Sequence, residues 1–280
     1  MTLDAATDHD DRSQILAAIT SFLSALSNDP PKAHSYILPS SYAVITHAPD
    51  DPTITTDHTP AGGDDQAVTT TCTLADLVSR HAAAKGNSTI SLAPPTPTIW
   101  IGGRLAAAWA HLSITSTSTP LHHDGVAAYT LFKRAEGWLI GGLAERHWPA
   151  SAEPAVEEVV IETGQPDAMV APTVELCRLL NAEAWDKVGS LMLLGGGATY
   201  ARFPHTLIMV GWEDWFGKMR VMLERAKPAY VEQALVEWEA RRYGDVGLVW
   251  TPFTVAVDGE VRITGWNVFS MLRTGGKVVD

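Results

Sequence analysis

The sequence predicts an α+β protein built from two similar halves, and three observations carry that reading. Apolar residues recur at helical spacing near the start of each half, each half closes in long strand-like runs, and those runs can be laid on each other at a nearly constant offset. Trp109-Ala110-His111-Leu112 lies 141 positions before Trp250-Thr251-Pro252-Phe253, whereas Gly125 and Leu131-Phe132-Lys133 lie 140 positions before Gly265 and Met271-Leu272-Arg273. Two unrelated α+β domains with similar hairpins form the competing reading.

Taken in order, Ile15, Ala18, Ile19, Phe22 and Leu26 mark the apolar face of a first helix that follows Asp10-Asp11. Tyr42-Ala43-Val44-Ile45-Thr46 reads as a strand ending at His47, before a long polar loop over 48–71 that holds Asp57 and His58. A helix is expected over 74–85, then strands over 90–98, 105–114, 126–134 and 138–144, with Glu136-Gly137 suited to a hairpin turn. Residues 149–172 are rich in Pro, Ala and Glu and read as a linker, with room for a short strand over 156–161. Val174, Cys177, Leu180 and Ala184 open the second half as a helix, and Trp185-Asp186-Lys187 begin a short one. A further helix over 212–225 precedes strands over 230–243, 246–257, 261–273 and from 277 onward, with Gly275-Gly276 in the last turn. The expected domains are therefore 1–148 and 173–280, joined by 149–172.

Composition bounds the function. With 46% hydrophobic and 19% charged residues, the chain is neither disordered nor fibrous. It lacks a run of about eighteen apolar residues, and Met1 to Asp11 is acidic and polar, so neither a transmembrane helix nor a secretory signal is expected. A net charge of −12 argues against nucleic acid or anionic lipid as partner. Cys72 and Cys177 are too few for a disulfide framework or a zinc site. A cytoplasmic protein is expected. Nine of the ten histidines lie in the first 147 residues, so proton-transfer chemistry is concentrated in the first half.

Helices followed by a long antiparallel meander and an aromatic hairpin at Gly265-Trp266 resemble the nuclear transport factor 2-like superfamily. That group includes polyketide-cyclase-like proteins, ketosteroid isomerase and scytalone dehydratase. The second half carries Trp250-x-Pro252-Phe253, then Asp258-Gly259, then Gly265-x-Asn267-x-Phe269; the first carries Gly125, Tyr129, Leu131 and the run from Lys133 to Ile140. For each half the resemblance implies a cone, a curved antiparallel sheet wrapped on three helices around an open pocket. For the whole it implies two tandem cone-shaped α+β barrel domains packed as an internal pseudo-dimer, the chain itself being a monomer or a homodimer.

Alternation sets Ala107, Trp109, His111 and Ser113 on one face of their strand and Ala108, Ala110, Leu112 and Ile114 on the other. The face that mixes an aromatic with a histidine is expected to be the pocket wall. His111 there resembles the catalytic histidine of scytalone dehydratase, and imidazole suits proton transfer near neutrality. A structural histidine at a sheet surface or domain interface is the competing reading. His123 stands where relatives carry a histidine before the glycine, and His47 ends a strand that relatives use to present acid or base groups. His122-His123-Asp124 invites a metal, but strand neighbours point oppositely and a third ligand is missing, so no metal and no cofactor are expected. Tyr42, Trp109, Tyr129, Trp250, Trp266 and Asn267 are the expected substrate contacts. Several features depart from the relatives. Leu26 and Ser27 stand where the dehydratase has an aspartate, Val126 and Ala128 where it has serine and asparagine. The strands from 90 to 144 lack carboxylates outside turns.

The expectation is a small-molecule enzyme of the cyclase, isomerase or dehydratase kind. It would act on a hydrophobic polyketide- or terpenoid-like intermediate by cofactor-free general acid–base catalysis. The rival is a non-catalytic tandem that binds a ligand or a partner protein.

Overall fold

The structure is a computed structural model that describes residues 5–47, 68–83, 88–116, 122–150, 158–164, 167–193, 195–202, 206–227 and 229–273. The chain divides into two compact units, residues 1–156 with 274–280, and residues 157–273. Each is α+β.

The first unit begins with helix α1 (Ala5–Asn28), a short α2 (Pro30–Ala33) and a 3-10 turn at His34–Tyr36. Strands β1 (Tyr42–His47) and β2 (Val68–Thr73) form an antiparallel pair before helix α3 (Leu74–Ala83). The meander follows as β3 (Ser88–Gly102), β4 (Leu105–Ser116), β5 (His122–Arg134) and β6 (Gly137–Pro149). The sheet order is β2-β1-β6-β5-β4-β3, with β1 parallel to β6 and every other pair antiparallel. Pro94 and Pro95 lack the N–H a ladder needs, and the β3–β4 register shifts between Ala93 and Thr98. The core lies between one face of this sheet and the helices. Ile15, Ile19, Phe22 and Leu23 of α1 and Leu77 and Val78 of α3 cluster with Ala106, Ala108, Ala110, Leu112, Tyr129, Leu131 and Ile140. Helix α1 approaches the sheet most closely at β3 and β6, with the small β4 alanines in the cluster between them. Two polar anchors fix that helix. Arg12 donates to the carbonyl of Ile99 at 2.8 Å, and the buried Asp11 carboxylate accepts from Trp138 Nε1 at 3.2 Å and from Lys133.

The second unit opens with β7 (Val159–Glu162), then α4 (Ala171–Asn181), α5 (Trp185–Val188) and a 3-10 turn at Gly189–Leu191. A two-stranded pair, β8 (Gly197–Arg202) and β9 (Thr206–Gly211), precedes α6 (Trp212–Ala226). The sheet then follows as β10 (Val231–Leu235), β11 (Glu239–Tyr243), β12 (Val246–Val257) and β13 (Glu260–Leu272). Both β10 and β11 pair with β12, so the single strand expected over 230–243 is one course interrupted at Val236-Glu237-Trp238. Thr251 Oγ1 donates to the Glu237 carbonyl at 2.6 Å and closes that interruption. Asn181 at the end of α4 pairs with the Gln233 backbone in both directions at 2.8 Å, tying helix to sheet edge. Val249 of β12 clusters with Ile161, Val170 and Ala240, and Phe269 of β13 packs against this group and against the helix residues Leu176, Leu179 and Leu180.

The two meanders share a register. Trp109 lies opposite Ala128 and Trp250 opposite Val268; Leu112 opposite Gly125 and Phe253 opposite Gly265; Ala106 opposite Leu131 and Gly247 opposite Met271. Three expectations differ from the structure. The span 149–172 contains Pro149 at the end of β6, strand β7 paired with β11, and the first residues of α4. Strand β2 (Val68–Thr73) begins within the stretch read as a polar loop over 48–71, and the pair β8–β9 is sheet structure the periodicity did not announce. The expected strand from 277 and the loop residues Asp57 and His58 lie outside the described residues. Among the described residues no helix is long and apolar enough to cross a membrane.

Candidate functional site

The inner, helix-facing side of the first sheet carries a group of ionisable side chains that the fold collects from four elements. On β6, Leu143 belongs to the core cluster, so alternation turns Glu145 and His147 toward the same side. Glu145 lies opposite Ala127 of β5 and Ile45 of β1, and His147 opposite Gly125 of β5. His147 Nε2 stands 3.2 Å from a Glu145 carboxylate oxygen, with side chains 13% and 8% exposed, so the contact is largely withdrawn from water.

Gly125 makes this geometry possible. A Cβ at this position would stand 2.9 Å from His147 Cδ2 and 2.9 Å from the Arg146 carbonyl oxygen, so the ring occupies the space a side chain would take. His81, in the last turn of α3, lies within electrostatic range of both partners. Burial lowers its pKa from the ordinary 6.5, Glu145 opposes that shift, and His147 adds to it, so His81 is neutral at pH 7. Tyr129 of β5 is fully buried in the core cluster, and its phenol is raised well above the ordinary value by burial and then by Glu145. Cys72 on β2 is raised by burial, the largest cause, and feels Arg80, Asp76 and Glu145 as well. Burial raises Cys177 in the second unit to about 11. Neither thiol is therefore an activated nucleophile.

The expected site residues separate by face. His123 is buried and lies opposite Ile114, which packs on the core, so it belongs to the helix-facing side with Gly125 and His147. His47 stands opposite His147 in the β1–β6 ladder, and its side chain lies outside the described residues. Tyr129 is on the inner face. His111 is not brought to this group. The β4 residues that meet the helices are Ala106, Ala108, Ala110 and Leu112, so the mixed face holding Trp109 and His111 is the one turned away from them. The physical reason is that the small apolar set on β4 clusters with the helix residues, which leaves the mixed polar face on the other side. Tyr42 alternates with the core residues Ala43 and Ile45 and shares that outward face. Trp250 and Trp266 stack at 4.9 Å and 21° on the corresponding side of the second sheet, whose inner side holds Val249 and Phe269. Asn267 alternates with Phe269 on the inner side of β13 and is half-buried.

His122 turns away from His123. Its Nε2 lies 2.9 Å from Ser113 Oγ and 3.5 Å from Asp124, an exposed surface contact. Among the described residues no three His, Cys, Asp or Glu side chains are placed to hold a metal ion. The residues that sequence reasoning missed are Glu145, His147 and His81. The expected last strand ended at Ala144, one position short of Glu145, whereas β6 runs to Pro149.

No family model matches the chain, and no curated protein matches it. Solved structures similar to it are described as nuclear transport factor 2-like or cystatin-like in fold, each over about half of the chain. A cystatin-like protein of unknown function from Nostoc punctiforme aligns at 10% identity and TM-score 0.36, covering 55% of this chain and 98% of its own. A nuclear transport factor 2-like protein from Novosphingobium aromaticivorans aligns at 14% identity and TM-score 0.36, covering 54% and 88%. A member of that superfamily from Salmonella enterica aligns at 17% identity and TM-score 0.35, covering 49% and 91%.

Proposed function

We propose that the first unit is a cofactor-free acid–base catalyst of the isomerase or dehydratase kind, with the Glu145–His147 pair as its proton carrier. The observation that carries this reading is the 3.2 Å contact between a withdrawn carboxylate and an imidazole on the helix-facing side. Nε2 of His147 stands 3.2 Å from the Glu145 carboxylate without hydrogen-bond geometry, and a neutral imidazole offers one ring nitrogen as the basic position. Taking a proton from substrate carbon creates an imidazolium beside a carboxylate. The carbon retains the C–H electron pair. Return of the proton to a different carbon completes an isomerisation, and its delivery to a departing hydroxyl completes a dehydration with release of water. His81, neutral at pH 7, is a second group able to accept or pass on the proton, and His123 shares the wall. Ala106, Ala108, Ala110, Leu112 and Ala127 form an apolar surround, which supports a hydrophobic substrate such as a polyketide- or terpenoid-like intermediate.

The test is deuterium incorporation from D2O into a panel of apolar cyclic ketones and β-hydroxy ketones, followed by NMR. His147→Gln is expected to lower the exchange or elimination rate by about 10²–10⁴-fold with the fold intact. An unchanged rate overturns the assignment.

The rival reading, a binding surface, draws its support from the second unit. Among the described residues, the large apolar side chains left exposed, including Val236, Val261, Ile263 and Trp266, all belong to it.

A further inference from the structure

We propose that the open edge of β13 binds the same edge of a second copy of this chain, in an antiparallel two-fold pairing centred on Trp266. The inference stands apart from the acid–base reading and uses no residue of the first unit.

The first observation is an edge that one unit covers and the other leaves open. In the first unit β5 is paired along both sides, with β4 and with β6. Strand β13 holds the same place in the second meander, and among the described residues it pairs with β12 alone. It runs for 13 residues without a proline or a lysine, and its Val261, Ile263 and Trp266 are 39–54% exposed. A long apolar edge is a template for another strand unless a proline, a lysine or a covering element blunts it. The outer strand of the first sheet, β3, carries Pro94 and Pro95 and is blunted in that way.

The second observation fixes which backbone groups the edge offers. Val236 N–H donates to the Pro252 carbonyl at 3.1 Å, so that carbonyl points away from β13. Pro252 and Trp266 lie opposite each other and therefore form a non-hydrogen-bonded pair. The N–H and C=O of Trp266 point to the open edge, and by alternation so do those of Thr264, Val268, Ser270 and Leu272. Arg273, on the other parity, donates its N–H to the Asp245 carbonyl at 2.7 Å on the closed side. The bulge opposite Val255 disturbs only the start of the strand, and the ladder is regular from Ile263 to Leu272.

A second copy fits this edge in one favoured register. A two-fold axis brings outward groups to outward groups only at an even position such as 264, 266 or 268. Trp266 is the midpoint of β13, so centring there gives the longest overlap. Ile263 then meets Phe269 of the partner subunit, Val261 meets Met271 of the partner subunit, and Trp266 meets its own copy across the axis. The only charges on β13, Glu260 and Arg262, pair with each other at 2.7 Å and fall opposite Leu272 and Ser270, so like charges do not meet. The pairing covers the exposed apolar residues and closes at two copies.

Sedimentation velocity on the full chain, at about 10 and about 100 µM, tests the pairing. Wild type is expected to sediment as a dimer of the 30.2 kDa chain. Val268→Pro removes an outward N–H and none of the β12 ladder, so it is expected to raise the dimer Kd about tenfold or more with an unchanged circular dichroism spectrum. Trp266→Lys and Trp266→Glu each set like charges across the axis and are expected to be monomeric alone, whereas an equal mixture of the two regains the dimer. That recovery is specific to a two-fold through position 266. A monomeric wild type, a dimer indifferent to Val268→Pro, or a mixture that stays monomeric each overturns the pairing. Slow hydrogen exchange at the Thr264, Trp266 and Val268 amides in a monomer would give the edge to another strand, such as the one expected from Lys277, and overturns it as well.

Discussion

A glycine decides where the imidazole of His147 sits. The space beside Arg146 that Gly125 leaves open is filled by the His147 ring, with 2.9 Å between Cδ2 and the position of a hypothetical Cβ. Gly125→Ala is therefore expected to push the ring off Glu145 and to lower turnover about tenfold or more, by misplacing a group that must be held within a fraction of an ångström. A retained rate with normal His147 resonances would show that the ring relaxes freely. His81 gives a second prediction, in stability. Its folded pKa lies below the unfolded value of 6.5, so between the two the unfolded chain binds more protons than the folded one. Its contribution is complete above about pH 6.5 and is lost as pH falls through that value toward the folded pKa. Denaturant titrations at about pH 7.5 and about pH 5.5 are expected to show a smaller pH-dependent loss in His81→Leu than in wild type. An identical loss in both would place the titration elsewhere.

At the scale of elements, periodicity located most strands but misjudged ends and faces. The runs ending at Arg134 and Val257 were legible because turn residues bound them, as at Glu136-Gly137 and Asp258-Gly259. The end of β6 was not legible. Glu145, Arg146 and His147 look like an exit into solvent, yet pairing with both β1 and β5 carries the strand to Pro149 and buries the carboxylate. Alternation on β4 was read correctly as two faces, but which face meets the helices is decided by long-range packing that a strand pattern does not contain. Strand β2, Val-Thr-Thr-Thr-Cys-Thr, shows no apolar alternation and is held by its pairing with β1. Helix α1 is positioned by its anchors. Asp11→Ala removes the acceptor for Trp138 Nε1 and leaves Lys133, one-third exposed, without that partner. A loss of about 2 kcal/mol in unfolding free energy is expected, since one buried hydrogen bond and a half-screened ion pair are broken. A loss below about 0.5 kcal/mol in denaturant titration would show that the carboxylate is not a structural tie.

Over the whole molecule, the constant offset visible in the sequence reappears as a shared strand register, while the chemistry divides between units. Where the first unit has His123 and Tyr129 on the inner face of β5, the second has Ile263 and Phe269 on β13. His111, the most attractive histidine in the sequence, has Pro252 as its counterpart and lies on the face of β4 turned away from the helices. On the account proposed here, substitutions in the second unit such as Asn267→Ala leave turnover within about twofold, a result steady-state rates would check. The most direct measurement compares two single variants in the ketone exchange assay, Glu145→Gln and His111→Gln. The account predicts that Glu145→Gln lowers the rate by about 10²-fold or more and that His111→Gln leaves it near wild type. The reverse pattern, loss with His111→Gln and retention with Glu145→Gln, would contradict the assignment and move the reaction to the opposite face of the sheet.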